Sequence, residues 1–320
     1  METRRLGATG PEVSLVGLGC NNFGMRLDER GSREVVHAAL DAGVTHFDTA
    51  EEYGRGQSEM FLGRALGMRR SDVVVATKFA SRPVGEPYSP GALRRRILEG
   101  CDASLRRLGT DHIDLYYQHR PDPEAPVAEA LQALSELVEA GKVIHAACSN
   151  FSAEQIDEAS RVSAEEGTVG FAVCQSHWNL LVRDIETEIV PALRRHGMGI
   201  VPYRPLANGL LTGKYREGEE FPAGSRLSMP PPPGRSSPAA LATPENFAYV
   251  RDLTGFAVAR GHSLLELALG WLAAQDGVAS VIAGATSPDQ VAANVKAGTS
   301  WRLSPEELTA IPQIHGRSIS

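Results

Sequence analysis

Eight short apolar runs recur along the sequence, with amphipathic helical patterns between them, and this repeat most constrains the fold. The runs are rich in β-branched and aromatic residues, as is typical of strands buried on both faces of a parallel sheet. They span Leu15 to Gly19, Val44 to Phe47, Val73 to Thr77, Ile113 to Tyr117, Val143 to Cys148, Phe171 to Cys174, Gly199 to Pro202 and Ala279 to Ile282. Such alternation predicts an α/β fold, a (β/α)₈ TIM barrel, and the absence of GxGxxG after the first run disfavours an open doubly wound sheet.

The helical patterns begin at residues that are common at helix N-termini. Predicted starts are Ser32, Ser89-Pro90, Pro126 and Ser152. Two further helices are predicted from Glu245 to Arg260 and from Ser263 to Ala274, before the last strand. The tail SPEELTAIPQIHG is predicted to form a final helix packed across the barrel.

Two segments depart from the repeat. The opening TRRLG-ATGPE-VSL predicts an N-terminal β-hairpin that covers the floor of the barrel. From Gly213 to about Thr243 the sequence is rich in Pro, Gly and Ser, which predicts a long loop after strand 7. Loops at that face of a barrel build active sites. The whole chain, 1–320, is expected to form a single domain.

Composition excludes several classes of protein. Lys and Arg number 32 against 39 Asp and Glu, and the net charge is -7 without a basic block, so nucleic acid is not an expected partner. No long apolar stretch or secretory signal is visible, which predicts a cytoplasmic protein without a membrane partner. The four cysteines are scattered and lack zinc spacing, so neither disulfides nor a metal are expected. Oligomeric state is not indicated.

Four residue types that cooperate in proton transfer lie at or just past strand ends: Asp48, Tyr53, Lys78 and His119. The carboxyl ends of barrel strands meet at one mouth, so these side chains are expected to converge there. A phenol with an ordinary pKa near ~10 needs about 4 kcal/mol of help to act as an acid near neutral pH, and a close ammonium provides it. Each residue alone more often has a structural role. Together they predict an enzyme that protonates a carbonyl oxygen.

The segments FDTAEEYG, ATK, YYQHRPDP, SNF, CQSHWNLL, YRPLANGLLTGKY and GATSPDQVAAN, in this order, resemble the aldo-keto reductase superfamily over nearly the whole chain. The resemblance implies a barrel that binds NADP(H) without a Rossmann fold and transfers hydride from nicotinamide to an aldehyde or ketone. It implies that Tyr53 is the proton donor, that Lys78 and Asp48 tune it, and that His119 orients the carbonyl.

The resemblance also implies a cofactor site. The nicotinamide amide would bind Ser149, Asn150 and Gln175, Tyr203 would stack on the ring, Lys214 would reach the pyrophosphate and Arg226 the 2′-phosphate. The full set of expected cofactor residues is Cys20, Asn21, Asp48, Ser149, Asn150, Gln175, Tyr203, Arg204, Pro205, Leu206, Ala207, Asn208, Lys214, Arg226, Gly284, Thr286, Gln290 and Asn294. Arg204 replaces the usual Ser, and Thr286-Ser287 stand where many relatives carry a basic residue, so NADP preference depends mainly on Arg226 and Lys214.

Several alternatives stay open at this point. Phe23 and Phe79 are candidates for apolar pocket walls, and Trp178 is expected either to line the substrate cleft or to seal the barrel rim. The substrate is not identified beyond a small-molecule carbonyl compound. Cys148 and Cys174 should point away from the site, because side chains alternate along a strand. Two rival functions are a Schiff-base lyase with Lys78 as nucleophile and a redox-responsive regulatory subunit similar to channel β subunits.

Overall fold

The computed structural model describes residues 1–80, 86–231, 237–311 and 313. Its main feature is a parallel sheet of eight strands, with order β10-β3-β4-β5-β6-β7-β8-β9. The strands are β3 Val16–Gly19, β4 His46–Asp48, β5 Val74–Phe79, β6 Ile113–Gln118, β7 Val143–Ser149, β8 Val173–His177, β9 Gly199–Tyr203 and β10 Val281–Gly284.

The sheet closes between its two edge strands. Ile200 in β9 forms an isolated parallel bridge with Val278, and its amide donates to the Gly277 carbonyl at 2.9 Å, just before β10 begins. The predicted (β/α)₈ barrel is therefore confirmed, with shifted boundaries. The apolar runs of β4, β8 and β10 begin at Val44, Phe171 and Ala279, two residues before each strand starts. These three side chains are buried although they precede the strand, so apolar character alone places the start of each strand too early.

Helices surround the barrel: α1 Glu29–Asp41, α2 Gln57–Leu66, α3 Ala92–Leu108, α4 Val127–Glu139, α5 Ala153–Glu166, α6 Ile189–Arg195, α7 Pro244–Val258, α8 Leu264–Ala273, α9 Pro288–Ser300 and α10 Pro305–Ala310. The predicted start at Ser152 is confirmed, with Ser152 in a capping box, and Ser263, where a predicted helix began, caps α8 in the same way. The predicted start at Ser32 is wrong, because Asp28 caps α1 by accepting from the Gly31 amide at 2.8 Å. The predicted start at Ser89-Pro90 is also early, since α3 follows Gly91.

The predicted N-terminal hairpin is present and closes the barrel floor. Strands β1 Thr3–Arg5 and β2 Glu12–Ser14 pair in antiparallel fashion, and Leu6 and Val13 are fully buried against the barrel interior. Gly7 has φ 64, and an added Cβ would lie 2.5 Å from the Gly199 nitrogen. This approach is too close for any side chain, so the hairpin presses directly on the start of β9.

Side chains alternate between an inner and an outer core. Ala76 and Tyr117 point into the barrel, whereas Tyr116, Cys148 and Cys174 pack between barrel and helices. The expectation that Cys148 and Cys174 turn away from the mouth is therefore confirmed. It follows that one face of each strand is available to build a site.

The remaining predicted segments are only partly described. The residues of the loop from 213 to 243 form neither helix nor strand where they are described, and the tail forms α10. Residues 81–85, 232–236, 312 and 314–320 lie outside the description, which leaves out part of the PPPP run and of the predicted tail helix.

Within the described ranges no helix has the length and apolar character needed to cross a membrane. Likewise, no group of three His, Cys, Asp or Glu in those ranges is placed to hold a metal.

Candidate active site

A buried ion pair lies at the centre of the barrel mouth. Asp48 ends β4 and Lys78 lies in β5, both on the inward face, and their side chains are 3% and 0% exposed. The Lys78 ammonium donates to both Asp48 carboxylate oxygens and to the Thr49 carbonyl, each at 2.7 Å. The Gln175 amide donates to Asp48 Oδ1 at 2.8 Å. Lys78 is therefore held in one position, with its three N–H bonds directed at named acceptors.

The charge state of Lys78 follows from this pairing. Burial alone would lower the pKa of Lys78, but the Asp48 carboxylate, the nearby Tyr53 phenol and the hydrogen bonds to Asp48 outweigh burial and raise this pKa above its usual value. The amine therefore stays protonated at neutral pH. A fixed and buried positive charge results at the barrel mouth.

Tyr53 lies between this ammonium and an imidazole. It begins a 3₁₀ helix, Tyr53–Gly56, in the loop after β4. Lys78 Nζ is 5.4 Å from the centroid of the Tyr53 ring, and the ring of His119 meets it edge-on at 6.0 Å. The structure thus brings together all four residues that the strand-end pattern singled out.

His119 is held from two sides. Its carbonyl accepts from the Asn150 side-chain amide at 3.0 Å. Its Nδ1 lies 3.2 Å from Glu52 Oε2, within ion-pair distance, and its side chain is 10% exposed. The backbone of His119 is therefore held at the rim, with its imidazole beside the phenol of Tyr53.

The expected nicotinamide residues form one hydrogen-bonded group next to this site. Ser149 Oγ donates to the Gln175 carbonyl at 2.9 Å, and the Asn150 amide donates to Ser149 Oγ at 2.9 Å. The Tyr203 hydroxyl donates to Asn150 Oδ1 at 2.8 Å. Amides and a hydroxyl beside an aromatic face fit a flat polar heterocycle. The residues present therefore fit a nicotinamide ring.

One face of the Tyr203 ring is already occupied. His177 stacks on it with centroids 5.2 Å apart and an interplanar angle of 12°. Burial, followed by the positive charge of Arg204, lowers the pKa of His177 to about 4, so this imidazole is neutral at pH 7. His177 therefore acts as a flat support for Tyr203.

Strained backbone marks the same rim. Five described residues other than glycine have positive φ, and four of them are expected cofactor residues: Asn150 (62°), Arg204 (52°), Ala207 (46°) and Asn208 (58°). Asn tolerates this conformation, but Arg and Ala adopt it rarely. Such strain concentrates at ligand sites. Pro205, which is buried, and Leu206 complete the turn, and the Leu206 carbonyl accepts from the Gly209 amide at 2.7 Å.

Cations gather where this turn meets the long loop. Arg226 is half-buried, and burial together with the like charges of Arg204 and Arg26 lowers its pKa. Arg26 Nη2 donates to the Gly224 carbonyl at 2.6 Å, which ties the long loop to the loop after β3. Lys214 is exposed, and its Nζ lies 5.0 Å from the centroid of the Tyr215 ring. These cations are suited to bind a polyanion.

The expected adenosine residues lie at the start of α9. Gln290 Oε1 accepts from the Thr286 amide at 2.9 Å, and the Asn294 amide reaches the Gly284 carbonyl at 3.5 Å. A Cβ built on Gly284 would lie 3.4 Å from Asn21 Oδ1, so the loop after β3 lies beside this end. The Cys20 thiol, by contrast, is fully buried in the outer core, and its amide donates to the Asp48 carbonyl at 2.8 Å.

The three aromatic residues considered as pocket walls lie in the outer core. Phe23 and Phe79 are fully buried, and Phe79 packs on Tyr116 with centroids 5.1 Å apart. Trp178 packs edge-on against Trp271 and donates to Glu186 at 2.9 Å. All three side chains are buried in packing contacts of the outer core.

Two residues at the site were missed by the sequence analysis. Glu52 contacts His119, and Arg26 anchors the long loop. Glu52 directly precedes Tyr53, and this adjacency was the one available signal. Arg26 gives no signal in sequence, because its partner Gly224 lies 198 residues away along the chain.

Comparison with known proteins agrees with this geometry. A model described as "Aldo/keto reductase family" matches residues 15–315. "Probable voltage-gated potassium channel subunit beta" of Oryza sativa subsp. japonica is 38% identical over 302 residues, covering 93% of this chain and 91% of that protein. "Aldo-keto reductase YhdN" of Bacillus subtilis (strain 168) is 36% identical over 327 residues, covering 100% and 95%. "L-glyceraldehyde 3-phosphate reductase" of Escherichia coli (strain K12) is 32% identical over 321 residues, covering 98% and 92%. The chain belongs to the aldo/keto reductase family.

Proposed function

We propose that this protein is an NADP(H)-dependent reductase that converts aldehydes or ketones to alcohols, with Tyr53 as the proton donor. The observation that carries the proposal is the position of the Tyr53 ring, 5.4 Å from an ammonium that Asp48 keeps charged inside the barrel. Relatives named as reductases support the same class of reaction. A bound dihydronicotinamide would supply the hydride.

The chain's own residues would handle the proton and the carbonyl. The Lys78 charge favours the phenolate form of Tyr53, so the phenol gives up its O–H proton more readily to an oxygen that gains negative charge. His119, edge-on to that phenol, would hold the carbonyl oxygen in place. The pair of Asp48 and Lys78 donates no proton in this scheme, because it stays charged throughout.

The preference for NADP(H) over NAD(H) is proposed on charge. Half-buried Arg226 lies near Arg26 and the exposed Arg204, and like charges placed close together are destabilised by mutual repulsion without an anion. A 2′-phosphate with charge near -2 would relieve this repulsion. Lys214, exposed on the same loop, would meet the pyrophosphate as a point charge.

The test is steady-state oxidation of NADPH with 4-nitrobenzaldehyde and a dicarbonyl compound. The parent protein should turn over many times, and His119→Asn should be slowed by about 10²-fold, near the loss for one donor to an oxyanion. A control variant is Glu34→Gln, which removes an exposed carboxylate on α1 that pairs with Arg30 and should leave turnover unchanged. Absence of multiple turnover in the parent, with every carbonyl tried, would refute the reductase.

A second candidate is a redox-responsive regulatory subunit, and the similarity to proteins named as potassium channel β subunits favours it. In that case the protein should oxidise bound NADPH once and then stall, and His119→Asn should behave like the parent. The Schiff-base alternative has less support, since an attacking amine must be neutral and mobile. Lys78 is charged and bound by three acceptors.

A further inference from the structure

An arginine of α3 joins two chain segments that lead to the active site. Arg96 Nη2 donates to Glu51 Oε1 at 2.6 Å, and Arg96 Nε donates to the Ala80 carbonyl at 2.9 Å. The Ala80 amide donates to the same Glu51 oxygen at 2.7 Å. Glu51 lies two residues before Tyr53, and Ala80 directly follows β5. One guanidinium therefore binds the loop after β4 and the end of the strand that carries Lys78.

We propose that Arg96 is a positioning residue, which fixes the Tyr53 ring relative to the Lys78 ammonium. It does so through the two segments that it joins, and it takes no part in the transfer of proton or hydride. This inference depends on the proposed reductase function.

The bridge through Arg96 is the strongest connection between these two segments. The backbone amide of Glu51 donates to the Lys78 carbonyl at 3.2 Å, which is long for such a bond. The contacts of Arg96 are shorter, and hydrogen bonds between a guanidinium and a carboxylate are stronger than neutral ones. The side chains of Glu51 and Arg96 are 14% and 37% exposed, so solvent screens their attraction only in part.

A second arginine of α3 holds the other end of the same loop. Arg107 Nε donates to Glu59 Oε2 at 2.5 Å, and Glu59 Oε1 accepts from the Thr77 hydroxyl at 2.6 Å. A Cβ built on Gly56 would lie 2.8 Å from Arg107 Cδ, so the loop packs directly on this arginine. Glu59 is fully buried, and loss of Arg107 would leave its carboxylate unpaired and damage the fold. The partly exposed Arg96 can be replaced without that cost.

The position of Tyr53 matters because the charge of Lys78 acts on it over a distance. Lys78 Nζ is 5.4 Å from the centroid of the Tyr53 ring, and the attraction of a charge weakens as the separation grows. Without Arg96, Glu51 would keep the Ala80 amide and Arg107 Nη2, the latter at 4.0 Å. The loop should then shift. A misplacement of about 1 Å can cost about 10²-fold in rate.

The kinetic test compares Arg96→Ala with Arg94→Ala in steady-state oxidation of NADPH with 4-nitrobenzaldehyde. Arg94 lies on the same helix and pairs with Glu136 of α4, so its replacement removes a comparable exposed ion pair. Arg96→Ala should lower kcat by about 10-fold or more and leave the affinity for NADPH unchanged, whereas Arg94→Ala should change neither. Arg96→Lys should lie between Arg96→Ala and the parent, since an ammonium keeps the charge but not the planar set of donors.

Chemical rescue separates positioning from general damage to the fold. Because Arg96 is 37% exposed, solvent should reach the space that Arg96→Ala leaves. Guanidinium ion at low millimolar concentration can bind Glu51 there in place of the missing group. It should raise the kcat of Arg96→Ala and leave that of Arg94→Ala and of the parent unchanged. A variant with a damaged fold would not respond.

Hydrogen exchange tests the same role without cofactor or substrate. In Arg96→Ala the amides of residues 50–56 and of Ala80 should exchange about 5-fold faster or more than in the parent, the factor expected for one lost interaction. The amides of β6 should exchange at the parent rate. Arg94→Ala should match the parent in both segments.

The outcomes separate this inference from the function on which it depends. A parent that reduces no carbonyl refutes the proposed function, and hydrogen exchange then decides alone whether Arg96 holds the loop. An active parent whose kcat is the same in Arg96→Ala overturns the role of Arg96. A lower kcat without faster exchange in residues 50–56 overturns it as well. Equal losses in Arg96→Ala and Arg94→Ala, without rescue by guanidinium, would assign the effect to the stability of α3 instead.

Discussion

Replacing Asp48 by Asn tests whether the pair at the barrel mouth is buried and charged as described. Asp48→Asn leaves the Lys78 ammonium at 0% exposure with the Thr49 carbonyl and a neutral amide as partners. Removing one partner of a buried ion pair costs about 3–5 kcal/mol. This is a large part of the roughly 5–15 kcal/mol that stabilises an ordinary protein. The double variant Asp48→Asn/Lys78→Met removes both charges and should be more stable than Asp48→Asn alone.

The assay is urea unfolding followed by fluorescence of the buried Trp178, Trp271 and Trp301, repeated from pH 7 to 9.5. In the parent, the folded pKa of Lys78 is above its unfolded value of about 10.5. Its stabilising contribution is therefore fully present below pH 10.5 and constant over this range. In Asp48→Asn, burial lowers the folded pKa of Lys78, so the unfolded state binds more protons and stability should rise with pH, by up to about 1.4 kcal/mol per unit.

Two results would refute this reasoning. The first is a loss below about 1 kcal/mol in Asp48→Asn, which would mean that water reaches the ammonium. The second is a free energy of unfolding of Asp48→Asn that does not change with pH, together with a double variant that is less stable than both the parent and Asp48→Asn. That result would assign the cost to packing rather than to an uncompensated charge.

Three shorter predictions concern the phenol, the cofactor phosphate and the floor. Tyr53→Phe should bind NADPH as the parent does in a fluorescence titration but lose at least about 10²-fold in turnover, since the transferable proton is gone; turnover within a few-fold would exclude Tyr53 as proton donor. Arg226→Ala should weaken NADPH binding by about 1–3 kcal/mol and leave NADH nearly unchanged; equal losses would assign Arg226 to the fold or the pyrophosphate. Gly7→Ala should lower the thermal midpoint more than Gly167→Ala, because both have positive φ but only Gly7 meets backbone within 4 Å; equal effects would show that the floor yields to the new methyl group.

Much of the catalytic core could be predicted because strand ends and alternation together determine it. Asp48, Lys78 and His119 each lie at or just past the end of a β-branched run, so the barrel geometry alone brings them to one mouth. The same alternation also turns Phe79 outward, since it follows the inward-facing Lys78. The same rule holds for Cys148, Cys174 and Phe79 alike, and all three lie in the outer core.

Other features depended on contacts that a single sequence does not contain. Ser32 and Asp28 are equally suitable N-caps by residue type. Asp28 caps α1, whereas Ser32 lies inside the helix with its side chain buried. The loop that carries Glu52 and Tyr53 goes on into a left-handed turn at Gly54 and Arg55, with φ 57 and 56. Short-range signals predict such a turn poorly when one of its residues is an arginine.

The left-handed residues at the rim have a consequence for heat inactivation. Arg204 and Ala207 hold conformations that cost roughly 1 kcal/mol or more each, and they lie in the turn and the 3₁₀ helix after β9 rather than in the strand ladder. The turn they form should therefore open at lower temperature than the barrel wall, in a local transition of its own. Amides of 204–209 should exchange with solvent well before those of β5 and β6. The protein is then expected to lose ligand binding on warming while its secondary structure is still intact, and bound ligand should delay that loss.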